Sequence, residues 1–320
     1  MKNLLQTTLI IGLFAANGSA IAAEPARVRS LGFLAEDASA SAGIGALKKA
    51  LEELGYKDGE TIKFQIRTAG GRIERIDQAA ADLVGQNIDV IVAEGLSAGQ
   101  AARRQARTLP IVIASRIETI KAGGNVTGAT NISPDLGVQR LRLLKELSPR
   151  IARVSVLWHE VNAIPSAYLK QVRKTADSIG VEIEPHKLKT SRDLQAIFDT
   201  MASDKDDGVI IEPQLLFTGR FNQIAELSSK ARLASISGVE EFAAAGGLAA
   251  YGLSPDQMWH HTAFLVDRIF KMRKPKSGQP AELPAAQPDK FQLVVNLKTA
   301  AHLGIAVPPE ILKRADKVIK

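Results

Sequence analysis

The sequence predicts an α/β protein of two Rossmann-like lobes, each built on a parallel sheet, joined by a hinge. Three observations carry this. Short apolar runs alternate with amphipathic helical stretches from Val28 onward, the pattern of strands linked by crossover helices. The alternation runs through five strands by Thr130, then restarts at Val154 in a similar order. The 320 residues, 45% hydrophobic and 23% charged, leave room for two cores and exclude a disordered or collagen-like chain.

Residues 28–34 are an apolar run suited to a strand buried on both faces. Ile44, Leu47, Leu51 and Leu54 then fall at helical spacing, and Gly55 stops that helix. Residues 61–66 alternate at period two; 76–84 and 98–107 read as helices, and 88–93 as the strand between them. Strands at 111–114 and 126–130 complete the first unit. Strands separated by helices imply right-handed crossovers and a parallel sheet covered on both faces.

In the second unit, strands are predicted at 154–158, 181–188, 208–211, 233–237 and 248–253, with helices at 167–179, 194–201 and 222–231. The units join near 131–137. The tail reads as a helix at 255–272, a Pro-rich stretch at 275–288, a strand at 291–296 and a final helix at 309–318. That Pro-rich stretch is long enough to cross from one lobe to the other. The expected division is therefore 23–131 with 254–284 returning for the first lobe, and 132–253 with 285–320 for the second. Repeated crossing makes a hinged pair able to close over a cleft.

The first 22 residues stand apart. Lys2 gives a positive start, residues 9–16 an apolar segment, and Ala20-Ile21-Ala22 a small-x-small cleavage site. These are the three parts of a secretory signal peptide, so the mature chain is expected to begin near Ala23 in the periplasm. The apolar segment is too short to span a membrane, and no run of eighteen apolar residues follows; no stable membrane insertion is expected.

The chain has no cysteine, which excludes disulfides, thiolate metal sites, a cysteine nucleophile and a lipoprotein anchor. The net charge is +7, from 41 Lys+Arg against 34 Asp+Glu. Its clusters, such as Arg103-Arg104 and Lys271-Met272-Arg273-Lys274, are small and lack aromatic strands to stack bases. Nucleic acid is not an expected partner.

Gly95-Leu96-Ser97-Ala98-Gly99 matches the G-x-S-x-G nucleophile elbow between a strand and a helix, so an exported serine hydrolase using Ser97 is the alternative function. It needs a histidine base, and no local motif singles out His159, His186, His260, His261 or His302. The simpler reading has Ser97 capping a helix whose free N–H groups favour an anion, such as a ligand carboxylate. Gly43-Ile44-Gly45 lacks the third glycine of a dinucleotide fingerprint, and no Gly-Lys dipeptide supplies a P-loop. Adjacent His260 and His261 diverge on a helix, and His159-Glu160 lacks the second histidine of a zinc motif. No cofactor and no metal are expected.

Polar residues gather just after the carboxyl ends of the predicted strands, where α/β sheets bind ligands. The candidate ligand-binding residues are Glu36, Asp37, Ser97, Ser115 and Arg116 in the first unit, and Trp158, Asn162, Gln214 and Glu240 in the second. Glu94, His159 and Glu212 lie in the same positions. Arg116 and Ser97 follow neighbouring strands and could face one anionic group. The competing reading gives Arg116 a surface salt bridge with Glu118.

Several stretches carry a family resemblance: residues 123–128 (Gly-Gly-Asn-Val-Thr-Gly), Glu240-Glu241-Phe242 through Gly246-Gly247-Leu248, and Tyr251-Gly252. The longest begins at Pro288-Asp289-Lys290-Phe291 and runs through Asn296-Leu297-Lys298-Thr299-Ala300, Leu303-Gly304-Ile305, Pro308-Pro309 and Arg314-Ala315-Asp316. In these the chain resembles the bacterial ABC transporter substrate-binding proteins of the family that includes tryptophan- and tyrosine-type binders. The resemblance implies a type I periplasmic-binding-protein fold, no catalysis, and delivery of a small polar or amino-acid-like solute to a membrane ABC permease by a monomer. A ligand-sensing partner of a membrane receptor would share the fold. By position, the loops after Leu34, Ala93 and Ala114 would line one lobe, and those after Trp158, Ile211 and Ser237 the other. Many relatives have a small Gly/Thr/Pro-rich loop where this chain has Glu94-Gly95-Leu96-Ser97, and a Gly-x-Asp-Pro-like turn where it has Ser115-Arg116-Ile117-Glu118.

Overall fold

Phe33 and Leu34 show how the first sheet is built. Adjacent on one strand, they point to opposite faces, and each enters a separate apolar layer. The computed structural model describes residues 27–37, 41–116, 123–129, 133–160, 166–272, 288 and 290–320. The first unit runs β1 (Arg29–Ala35), α1 (Ser41–Glu53), β2 (Ile62–Thr68), α2 (Ile76–Val84), β3 (Val90–Glu94), α3 (Leu96–Gln105), β4 (Ile111–Ala114) and β5 (Val126–Ala129). Its sheet has the order β2-β1-β3-β4-β5, and every pairing is parallel. Leu34 packs with Ile76, Ala80 and Leu83 of α2 and with the alanines of α3 on one face. Phe33 packs with Leu47 and Leu51 of α1 on the other.

The second unit runs α4 (Pro134–Leu147), β6 (Arg153–His159), α5 (Ser166–Ser178), β7 (Glu182–Leu188), α6 (Leu194–Ser203), β8 (Gly208–Ile211), α7 (Leu215–Thr218), α8 (Phe221–Lys230), β9 (Ala234–Ser237), α9 (Glu240–Ala244) and β10 (Ala249–Gly252). The chain continues through α10 (Pro255–Lys271), β11 (Gln292–Asn296), α11 (Leu297–Leu303), α12 (Pro309–Arg314) and β12 (Lys317–Ile319). The second sheet has the order β12-β11-β10-β9-β8-β6-β7. It is parallel except where β11 runs antiparallel to β10, so the expectation of an all-parallel sheet fails at that edge.

α10 belongs to the first sheet although it follows the second unit's strands. Its Trp259, Leu265, Val266, Ile269 and Phe270 join Phe33, Leu47 and Leu51 in one cluster. Ser254 and Gln257 form a capping box that fixes its start. Tyr56 donates to Asp267 at 2.9 Å, and Arg29 donates to the Phe270 carbonyl at 2.6 Å, clamping the far end.

Two assignments change. The join read at 131–137 contains the start of α4: Ser133 Oγ accepts from Leu136 N, Pro134 opens the helix, and its apolar face covers the second sheet. The final helix read at 309–318 stops at Arg314. Asp316 then bonds Leu293 through both its backbone N–H and its carboxylate, pinning the chain to the edge of β11 as a strand. Among the described residues, no helix is long and apolar enough to cross a membrane.

Candidate functional site

The candidate residues that the structure describes stand at the carboxyl ends of the two sheets. Glu36 and Asp37 follow β1 and are exposed. Glu36 Oε1 lies 3.8 Å from where a Cβ on Gly95 would stand, so the loops after β1 and β3 adjoin. Glu94 closes β3, with its carboxylate resting on Gly43 in the first turn of α1. A Cβ on Gly43 would meet Glu94 Oε1 at 2.7 Å, Oε2 at 2.8 Å and Trp259 Cζ2 at 2.7 Å. Oε2 is buried with no hydrogen-bond partner. Burial raises this carboxyl above the ordinary glutamate range.

Ser97 does not cap α3. Gly95 occupies the N-cap, at φ 87° and ψ 165°, a conformation essentially restricted to glycine. Ser97 is the second helical residue, half-buried, and its side chain makes no hydrogen bond. Gly99 is a packing requirement, because a Cβ there would meet Ile113 Cδ1 at 2.5 Å. Both glycines of the G-x-S-x-G motif therefore have structural reasons. Among the described residues no histidine is bonded to Ser97; His260 is held by the Asp256 carbonyl and by Glu53.

Ser115, buried, and Arg116 follow β4. Arg116 reaches the second unit, donating to Glu241 Oε1 at 2.6 Å and Oε2 at 3.2 Å. Burial works against ionisation of Glu241, but the bonds and charge of Arg116 outweigh it and hold the carboxyl below its ordinary range. The Glu118 expected as partner lies outside the described residues. The Arg116 guanidinium is thus turned to Glu241, and Ser97, whose side chain makes no hydrogen bond, is not bonded to it.

On the second sheet, Trp158 is half-buried at the end of β6 and packs against that unit's core. Gln214 is fully buried, and its Oε1 accepts from the His159 backbone N–H, tying the loop after β8 to the end of β6. Glu240 opens α9 and pairs with Lys317 of β12 at 3.2 Å. Asn162 lies outside the described residues. Below these residues is a network that the sequence reading missed. Arg140 of α4 donates to both carboxylate oxygens of Glu212 and to the Tyr251 carbonyl, and Tyr168 Oη donates to Glu212. A Cβ on Gly238 would stand 2.4 Å from Arg140 Nη2, so the loop after β9 closes over the guanidinium. The available signal was an arginine in the apolar stripe of a helix opening with Ser-Pro. Among the described residues, no group of three or more His, Asp or Glu could hold a metal ion.

Residues 31–319 match the family described as ABC transporter substrate binding protein. The chain is similar to the tyrosine-binding protein of Clostridioides difficile strain R20291, 21% identical over 267 residues, covering 80% of this chain and 75% of that protein. Its fold is similar to a Streptococcus pneumonia ABC domain solved in complex with L-Trp (TM-score 0.71, 22% identity, 92% of this chain, 100% of that one). It is also similar to the ligand-free, open structure of a substrate-binding protein with adhesive properties from Clostridium difficile (TM-score 0.70, 20% identity, 92% and 100%). The architecture is that of the type I periplasmic binding proteins, two open α/β sheets whose strand ends carry the loops just described. With the match extending over nearly all of the described chain, this protein belongs to the ABC transporter substrate-binding protein family.

Proposed function

We propose that this protein captures an amino-acid-like solute between its two lobes and passes it to a membrane ABC permease, without catalysing a reaction. The supporting observation is the Arg116–Glu241 pair, which places the strand-end loops of one sheet within a side chain's reach of those of the other. Glu36, Asp37, Ser97 and Ser115 would line one wall, with Trp158, Asn162 and Glu240 on the other, while the buried Gln214 would hold the loop behind them. The lobes divide at 23–131 with 254–284, and 132–253 with 285–320. The protein acts as a monomer in the periplasm, without a cofactor, after losing residues 1–22. Tyrosine and tryptophan are the first solutes to try, because one similar protein is named tyrosine-binding and another was solved in complex with L-Trp.

The test is calorimetry and thermal melting with each of the twenty standard L-amino acids. A ligand that binds only the folded protein stabilises it by about 2.7 kcal/mol at a hundred times its Kd. One amino acid or a few related ones should raise the melting temperature. Solution scattering with that ligand should show compaction, because contacts from both lobes stabilise only the closed state. A panel with no binder removes the amino-acid reading.

A further inference from the structure

We propose that Glu94 is a specificity-determining residue of the cleft and selects solutes that carry a protonated amine. This rests on the cleft reading above and adds the chemistry of the ligand group that meets the first lobe.

Glu94 stands at the ligand-binding end of β3, between the Glu36 loop and the first turn of α1. Glycine at position 43 leaves the space that its carboxylate fills, and the edge of Trp259 walls the same space. The carboxylate is thus held in a narrow slot. Nothing in the protein answers it: Oε2 is shut from solvent and accepts no hydrogen bond. Among the described residues the other such side-chain atom is His186 Nε2, on β7 at the far edge of the second sheet.

A half-buried carboxylate with one oxygen shut from solvent and no donor is a costly arrangement, and an ammonium donor is the partner that offsets it best. The surrounding charges favour the same ligand. Glu36, whose carboxylate lies against Gly95, adds negative charge next to Glu94, while Arg116, the cation following β4, is already committed to Glu241. An anionic ligand group placed against this wall would be repelled; a protonated amine would be drawn in. Glu94, itself half-buried, would then act by direct contact with the solute through Oε1, the oxygen that is not shut from solvent.

The experiment compares wild type with Glu94→Gln, which keeps the size of the side chain and removes its charge. The probes are L-tyrosine and L-tryptophan, with 3-(4-hydroxyphenyl)propionate and indole-3-propionate as their amine-free forms, and tyramine and tryptamine, with 4-ethylphenol and 3-ethylindole as theirs. Circular dichroism and melting first establish that the variant is folded. Wild type should bind amine-bearing probes at least about tenfold tighter than their amine-free forms. In Glu94→Gln that preference should collapse to within about threefold, by loss of affinity for the amines alone. An unchanged preference in the variant, or equal loss for both sets, overturns the proposal and leaves the cleft reading standing. A wild type that binds none of the amine-bearing probes overturns the proposal too. The twenty-amino-acid panel then shows whether the broader reading falls with it. If Glu94→Gln does not fold, wild-type preference for the amine-free forms still overturns the proposal, and Glu94→Asp should weaken amine binding by withdrawing the carboxylate.

Discussion

Arg140 on α4 donates to both carboxylate oxygens of Glu212, and neither side chain is exposed to solvent. Removing either partner leaves a buried charge uncompensated, so Arg140→Ala or Glu212→Ala should destabilise the protein by about 3–5 kcal/mol. The charge-free double variant Arg140→Met/Glu212→Leu should recover most of that loss. Urea unfolding measures all three, and a single variant losing less than about 1 kcal/mol would show that the pair is not held as described.

The Arg116–Glu241 contact responds to acid and salt. The Glu241 carboxyl is lowered in the folded protein, so the contact's contribution is present above the ordinary carboxylate value and is lost as pH falls through the lowered one. At neutral pH a double-mutant cycle of Arg116→Ala and Glu241→Ala should give a coupling of about 0.5–1 kcal/mol, because Glu241 is half-exposed. Raising the salt concentration should shrink it. Zero coupling at low salt would mean that the two residues do not meet in solution.

Gly95→Ala should cost about 1–3 kcal/mol, since the N-cap of α3 needs a backbone conformation that alanine strains to reach. Gly99→Ala should cost a similar amount, about 1–3 kcal/mol, by forcing α3 away from Ile113. Ser97→Ala breaks no hydrogen bond within the protein and should change stability by no more than about 0.5 kcal/mol. Thermal melts separate the three. A Ser97→Ala variant that melts like Gly95→Ala would restore a capping role to the serine.

All three tyrosines should resist ionisation. Tyr56 is pushed up to about 12 by burial and by its bond to Asp267; burial also raises Tyr251, and raises Tyr168 well above its ordinary value. Ultraviolet titration should therefore show little tyrosinate at pH 10, where a free phenol is half ionised. Because these values are raised on folding, their stabilisation is complete below about pH 10 and is lost as pH rises through the folded values. A full tyrosinate step at pH 10 without unfolding would contradict the packing.

Export predicts a mature N-terminus at or close to Ala23. N-terminal sequencing of protein from the periplasmic fraction checks this, and an intact Met1 there would exclude cleavage.

The β/α alternation was legible because each buried strand is a short apolar run and each covering helix has one apolar stripe. α4 escaped because Arg140 interrupts its stripe, although Ser133-Pro134 gives a capping signal that periodicity alone overlooks. β12 escaped because three residues after a helix carry no period; what makes Lys317–Ile319 a strand is Asp316 bonding to Leu293. The strand ends themselves were legible, because each closes a buried apolar run. The partnerships within them did not show, because Arg116 and Glu241 are separated by 125 positions and the Glu94 carboxylate rests where Gly43 has no side chain.

The return of α10 to the first sheet also sets an order of assembly. Phe33, Leu47 and Leu51 are synthesised more than 200 residues before Trp259 and Leu265, which cover them. Until α10 has emerged, one face of the first sheet is covered by α1 alone, while the second unit is already most of the way through its own strands. Under the proposed export, this delay would leave the layer shared by α1 and α10 unfinished while the chain threads a translocation channel. Conversely, a C-terminal truncation ending before Pro255 should leave both units exposed, one without its helix and the other without β11 and β12.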